Sequence, residues 1–170
     1  MIQDLLQKYN VPVPRYTSYP PANYFTEAFA NKEYESAIEA SNTARPEHIS
    51  FYVHIPFCIR KCAYCDFVSG PGTKAMQKEY EETLLAEIDA AEEAAEREVI
   101  TVFSGGGTPS AVDAGMLARV MEKLRSKYVF SEDAEITLEA NPGTLDVEKL
   151  KCYRKSGFNR ISIGCQSVHD

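Results

Sequence analysis

Four short segments rich in β-branched and aromatic residues constrain this chain most. They are HISFYVHI (48–55), VITVF (99–103), EITLEA (135–140) and RISIG (160–164), and each reads as a strand. What lies between them has helical periodicity instead. Tyr80, Leu84, Leu85 and Ile88 mark one apolar stripe. Met116, Leu117, Val120, Met121 and Leu124 mark a second, behind Asp113 as an N-cap. Leu145, Leu150 and Tyr153 mark a third, opened by Thr144 or Asp146 and stopped near Gly157. Strand, loop and helix in repetition predict right-handed crossovers and a parallel sheet. VITVF is short and almost continuously apolar, as in a sheet buried on both faces. A barrel and an open doubly wound sheet both satisfy this pattern.

The expected fold class is α/β, with parallel βα units forming about half of a partial TIM-type barrel. A closed barrel takes eight units and roughly 250 residues, whereas this chain has 170 and stops soon after its fourth strand. Residues 48–170 therefore read as the N-terminal part of a longer barrel domain, with the fourth strand an open edge prone to aggregation. Residues 1–47 read as an irregular, partly helical leader. Ile2, Leu5, Leu6 and Tyr9 have helical spacing, and a second short helix is expected around Asn31 to Ser41. Between them VPVPRYTSYPP, with its four prolines, excludes a long helix.

The net charge of −7 argues against nonspecific nucleic-acid binding, which draws on basic patches. Much of the acid is local: residues 79–98 hold nine carboxylates, which read as the solvated face of one helix. No apolar run approaches the length of about eighteen residues that a membrane helix needs. The first ten residues lack the basic flank and apolar stretch of a secretory signal, so a cytoplasmic location is expected. Five cysteines in such a chain point to metal or redox chemistry rather than a disulfide framework.

The polar elements follow the strands. Cys58, Cys62 and Cys65 follow the first, Gly105-Gly106-Gly107-Thr108-Pro109 the second, Glu139 and Asn141-Pro142 close the third, and Cys165-Gln166-Ser167 follow the fourth. In a parallel βα sheet these loops share the face on which active sites sit. Three thiolates spaced C-x3-C-x2-C suit an iron–sulfur cluster with one iron left open. A zinc site completed by His54 or Cys165 is the alternative. Cys152 falls on a predicted helix and reads as a core thiol. The glycine run is neither a Walker loop nor a dinucleotide fingerprint; it reads as a tight turn or a ligand cradle. Glu139, at the rim, is placed to accept from a ribose hydroxyl or an amine, or is an ordinary strand-end acid.

Taken together, FYVHIPFCIRKCAYCDF, FSGGGTPS, ITLEANPGTL and GFNRISIGCQS resemble the radical S-adenosylmethionine enzymes, in the branch that holds oxygen-independent coproporphyrinogen III oxidase and the haem chaperone. KYNVPVPRYTSYP looks like the oxidase's N-terminal segment. The resemblance implies a [4Fe–4S] cluster on Cys58, Cys62 and Cys65, with S-adenosyl-L-methionine on the fourth iron. It implies that Tyr52, Tyr64, Gly106, Gly107, Thr108, Glu139 and Gln166 line the cofactor pocket, with Gly106-Gly107 at the methionine and Glu139 at the ribose or amine. It further implies a porphyrinogen or haem as ligand, an electron donor such as flavodoxin or ferredoxin, and oxidative decarboxylation of propionates to protoporphyrinogen IX. Arg15, Tyr16 and Tyr19 would be near those propionates. One position departs: the oxidase pattern has a further cysteine two residues after the third, where this chain has Phe67, as the chaperone branch does.

Overall fold

The computed structural model describes residues 2–9, 24, 26, 30–44, 47–91 and 97–167. The chain divides into two compact units, Met1–Arg45 and Pro46–Asp170. In the first, helix α1 spans Ile2–Tyr9, where the apolar spacing places a helix, and α2 spans Asn31–Ala44, running three residues past the expected end at Ser41. Arg15, Tyr16 and Tyr19 lie outside the described residues.

The second unit holds strand β1 (His48–Ile55), the short β2 (Phe57–Cys58) and β3 (Gly70–Pro71), helix α3 (Lys74–Ala90), β4 (Glu98–Gly106), α4 (Ala114–Lys127), β5 (Val129–Ala140), α5 (Val147–Lys155) and β6 (Arg160–Ile163). The main sheet has the order β1-β4-β5-β6 and every pairing is parallel. Each strand thus neighbours the next main strand in the chain, and α3 packs on α4 as α4 packs on α5. A doubly wound sheet reverses its strand order at a switch point. Among the described residues there is none, so of the two layouts open to the sequence the structure takes the barrel-like one.

The helices start where their caps dictate. The Thr73 hydroxyl accepts from the Met76 amide, the Asp113 carboxylate from Met116, and the Asp146 carboxylate from Lys149. Asp146, not Thr144, opens α5; Thr144 closes a 3-10 turn begun at Pro142. The α4 stripe is buried as its spacing predicts, with Met116, Leu117, Val120, Met121 and Leu124 all within the core. On α3, Ile88 is buried, and Tyr80, Leu84 and Leu85 are partly buried against the core. On α5, Tyr153 goes inside while Leu150 stays at the surface. The strands supply Val53, Ile55, Val99, Val102, Ile136 and Leu138. Truncating Leu117 or Leu124 to alanine costs about 2–5 kcal/mol, because so enclosed a site collapses poorly.

Two element boundaries differ from the sequence reading. Strand β4 continues through Ser104, Gly105 and Gly106, because those residues pair with Val53, His54 and Ile55 of β1. The first two glycines therefore belong to the sheet, not to a loop. Strand β5 begins at Val129, six residues early, because Val129 and Phe130 pair with Glu98 and Val99 before a register shift.

Candidate functional site

Successive side chains of a strand point to opposite faces. Val53 and Ile55 go into the core, so Tyr52 faces the other way. There its ring lies nearly parallel to Phe103, centroids 6.2 Å apart. Glu139, on β5, also faces this side. Together they border a cavity of about 430 Å³, also lined by Cys65, Gly106, Gly107, Thr108, Asn141 and Gln166. Its volume is within the range of small-molecule sites. It lies at the C-terminal ends of the parallel strands, where βα folds bind ligands. Larger hollows lie between β3 and α3 (about 590 Å³) and between α4 and α5 (about 690 Å³). Neither contains the glycine run or Glu139, so neither combines the polar elements that a cofactor needs.

The cavity wall depends on missing side chains. A β-carbon on Gly107 would stand 2.7 Å from the Phe57 carbonyl oxygen and 3.0 Å from Cys58 Sγ. Gly106 has φ +111°, a conformation glycine alone adopts easily. The Gly107 amide donates to the Ile55 carbonyl and the Thr108 amide to the Phe57 carbonyl, both at 2.8 Å. These bonds lock the glycine run against the entrance to the cysteine loop. Gln166 has φ +58°, rare for a residue with a side chain, and its amide nitrogen lies over Gly164.

The cysteine loop leaves at β2 and returns at β3, which pair through Phe57–Gly70 and Cys58–Pro71. Lys61 Nζ ties its interior, donating to the Phe67 carbonyl and to Ser69 Oγ. His54 ties it to the sheet, with Nε2 2.8 Å from the Val68 carbonyl oxygen and Nδ1 3.0 Å from the Tyr52 hydroxyl. A carbonyl only accepts, so Nε2 carries the proton and Nδ1 accepts from Tyr52. The Tyr52 pKa is raised, first by burial and then by the Glu139 charge.

The predicted residues fall into two groups. Tyr52, Cys65, Gly106, Gly107, Thr108, Glu139 and Gln166 border the cavity. Cys58, Cys62 and Tyr64 do not. Cys58 is half-buried beside Thr108, and Cys62 is exposed. Tyr64 is exposed too, with its pKa raised chiefly by a hydrogen bond to Cys62. Phe67, Phe103 and Asn141 also line the cavity and are not among the predicted site residues; Asn141 carries a sequence signal only as a polar residue before proline at a strand end.

All three loop cysteines are free thiols. Among the described residues, no three His, Cys, Asp or Glu side chains are gathered closely enough to hold a metal ion. A [4Fe–4S] cluster therefore fits by donor type, by shared loop and by the close glycine approach at Cys58, rather than by a preassembled sulfur triangle.

Comparison with known proteins identifies the family of the chain. The profile of the Radical SAM superfamily matches residues 52–170, and the chain belongs to that superfamily. Its members use a [4Fe–4S] cluster and S-adenosylmethionine. Among curated proteins, the oxygen-independent coproporphyrinogen III oxidase of Escherichia coli is 40% identical over 97% of this chain and 36% of its own length. The heme chaperone HemW of Buchnera aphidicola is 43% identical over 71% of this chain and 33% of its own. Among solved structures, the coproporphyrinogen III oxidase HemN of Escherichia coli, described as a radical SAM enzyme, superposes with a TM-score of 0.79 at 33% identity. That match covers 97% of this chain and 36% of that one. The chain thus spans about a third of the length of the relatives it matches.

Proposed function

We propose that this chain is the cluster- and cofactor-binding part of an oxygen-independent coproporphyrinogen III oxidase. The observation that carries the reading is the cavity in which Cys65, the Gly106-Gly107 turn, Glu139 and Gln166 meet at the C-terminal ends of sequential parallel strands. Cys58, Cys62 and Cys65 hold the cluster. Backbone at Gly106 and Gly107 approaches the methionine end of S-adenosylmethionine, held at the cavity wall by the bonds of the Gly107 and Thr108 amides to the Ile55 and Phe57 carbonyls. Glu139 accepts from the ribose or the amine, and Tyr52 and Phe103 give the adenosyl moiety an aromatic wall. When bound, cluster and cofactor together supply the one-electron chemistry that starts removal of hydrogen from a substrate propionate. Electrons come from a small carrier such as flavodoxin or ferredoxin, and the protein works in the cytoplasm. The acidic balance of the chain supports a small-molecule ligand rather than nucleic acid. No helix among the described residues is long and apolar enough to cross a membrane.

The extent of the matches favours the oxidase over the chaperone. The Escherichia coli oxidase aligns through the leader, whereas the chaperone relatives align over less than three quarters of the chain. One observation favours the second reading: Phe67 stands where the oxidase pattern has its further cysteine. The test is anaerobic reconstitution followed by electron paramagnetic resonance with and without S-adenosylmethionine, then product analysis with coproporphyrinogen III. Formation of 5′-deoxyadenosine and carbon dioxide is expected. A cluster that responds to the cofactor, with haem binding but no carbon dioxide, would transfer the assignment to the chaperone.

A further inference from the structure

We infer that Thr108 donates a hydrogen bond to the Cys58 thiolate, that Asn141 aims its proton there, and that this pair sets the reduction potential of the bound cluster. The inference rests on the reading that Cys58 is a cluster ligand. Thr108 Oγ1 lies 3.6 Å from Cys58 Sγ, within range for a bond to sulfur. Asn141 Nδ2 donates to the same Oγ1 at 3.2 Å. A threonine hydroxyl has one proton and two lone pairs. With a lone pair taken by Asn141, the proton is directed to the acceptor on the other side, which is the sulfur. The Asn141 amide has its oxygen turned away: a β-carbon on Gly164 would stand 3.1 Å from Oδ1.

Both residues are fixed in place. Thr108 is buried, with its amide bonded to Phe57 and its carbonyl accepting from Ala111. The Asn141 amide donates to Ser110 Oγ at 3.3 Å, and its carbonyl accepts from Thr144 Oγ1 at 2.7 Å. Ser110, fully buried, bonds the Thr144 hydroxyl, and Lys149 of α5 holds the carbonyls of both. The donor is thus oriented before any cluster is bound, and the orienting network runs back to the second and third βα units. Reduction adds negative charge to a cluster, and a hydrogen bond to a ligand sulfur stabilises that charge. Donors of this kind raise the potential.

The test is a redox titration, followed by electron paramagnetic resonance, of the anaerobically reconstituted protein without S-adenosylmethionine. Thr108→Val removes the donor and keeps the shape. It is expected to lower the reduction equilibrium about tenfold, or about 59 mV for a one-electron couple. Thr108→Ser is expected to restore it. If the valine variant takes up no iron, Thr108→Ala serves in its place. The unsubstituted protein gives a further check: exchange into D2O should yield a deuteron coupled to the reduced cluster, kept by serine and lost without the hydroxyl. An unchanged potential in a loaded donor-less variant, or no coupled deuteron in the unsubstituted protein, would overturn the inference and leave the cluster assignment standing. No iron–sulfur signal in the unsubstituted protein would remove Cys58 as a ligand and the inference with it.

Discussion

Gly105 and Glu139 face each other across the β4–β5 pair so closely that a β-carbon on the glycine would stand 2.8 Å from Glu139 Oε2. The same β-carbon would stand 2.9 Å from the Phe103 ring and 3.2 Å from the Tyr52 ring. All three neighbours are ends of side chains that line the cavity. The fold tolerates their movement, and the cavity does not. Gly105→Ala is therefore expected to reduce S-adenosylmethionine affinity at least tenfold while the melting temperature moves by only a few degrees. Calorimetric titration of the reconstituted protein, beside a thermal melt, checks both halves; unchanged affinity would count against Glu139 as a cofactor contact.

Gly107→Ala is expected to behave differently, because its β-carbon would meet backbone, the Phe57 carbonyl at 2.7 Å. Backbone at that point cannot rotate away without moving Cys58. Loss of iron uptake is expected together with a stability loss of about 1–3 kcal/mol, typical of overpacking. Iron and sulfide analysis after reconstitution, with a denaturant melt, measures each part.

His54 joins the end of β1 to the returning limb of the cysteine loop through its bond to the Val68 carbonyl. His54→Phe keeps a ring and removes both hydrogen bonds. Each such bond contributes about 0.5–1.5 kcal/mol, and the loss should fall on the loop rather than on the core. Hydrogen exchange over residues 59–69 is expected to accelerate, with the amides of β4 unaffected. Uniform acceleration across the sheet would show that the bond supports the fold as a whole.

Tyr153 is buried with its hydroxyl lacking a partner among the described residues, and its ring meets Phe158 edge-on. Burial above all, then Cys152, Asp113 and Asp146, push its pKa up to about 12. The unfolded chain ionises near pH 10. Between about pH 10 and 12 the folded state retains a proton that the unfolded state has lost, so stability falls as pH rises, by about 1.4 kcal/mol per pH unit. Tyr153→Phe removes that alkaline slope. At neutral pH it also stabilises, by about 1 kcal/mol, since an unsatisfied buried hydroxyl is gone. Chemical denaturation at pH 7 and pH 10.5 tests both signs.

Most of this architecture was legible because apolar period and capping chemistry agree along the chain. Asp113, for example, precedes a stripe that is buried along its length. The cysteine spacing and the shared rim of the strands were legible for the same reason: both are local facts. What escaped was non-local. Gly105 and Gly106 resemble a loop by composition, and only pairing with His54 and Ile55 makes them strand. Val129 and Phe130 join β5 because a partner at Glu98 and Val99 receives them. The two-residue pair of β2 and β3 has no sequence signature, since it encloses a loop stapled by Lys61 and His54. Asn141 marks the end of a strand in the sequence, but its bond to Thr108, 33 residues away, has no local signature.

The strand order β1-β4-β5-β6 also bears on how the molecule comes into being. Proteins are synthesised from the N-terminus at about 5–20 residues per second, and early segments begin to fold first. Here neighbours in the sheet are neighbours in time. As β4, β5 and β6 leave the ribosome in turn, the edge that each joins already exists. A chain with a reversed strand order must instead add a later strand to an edge laid down several segments before.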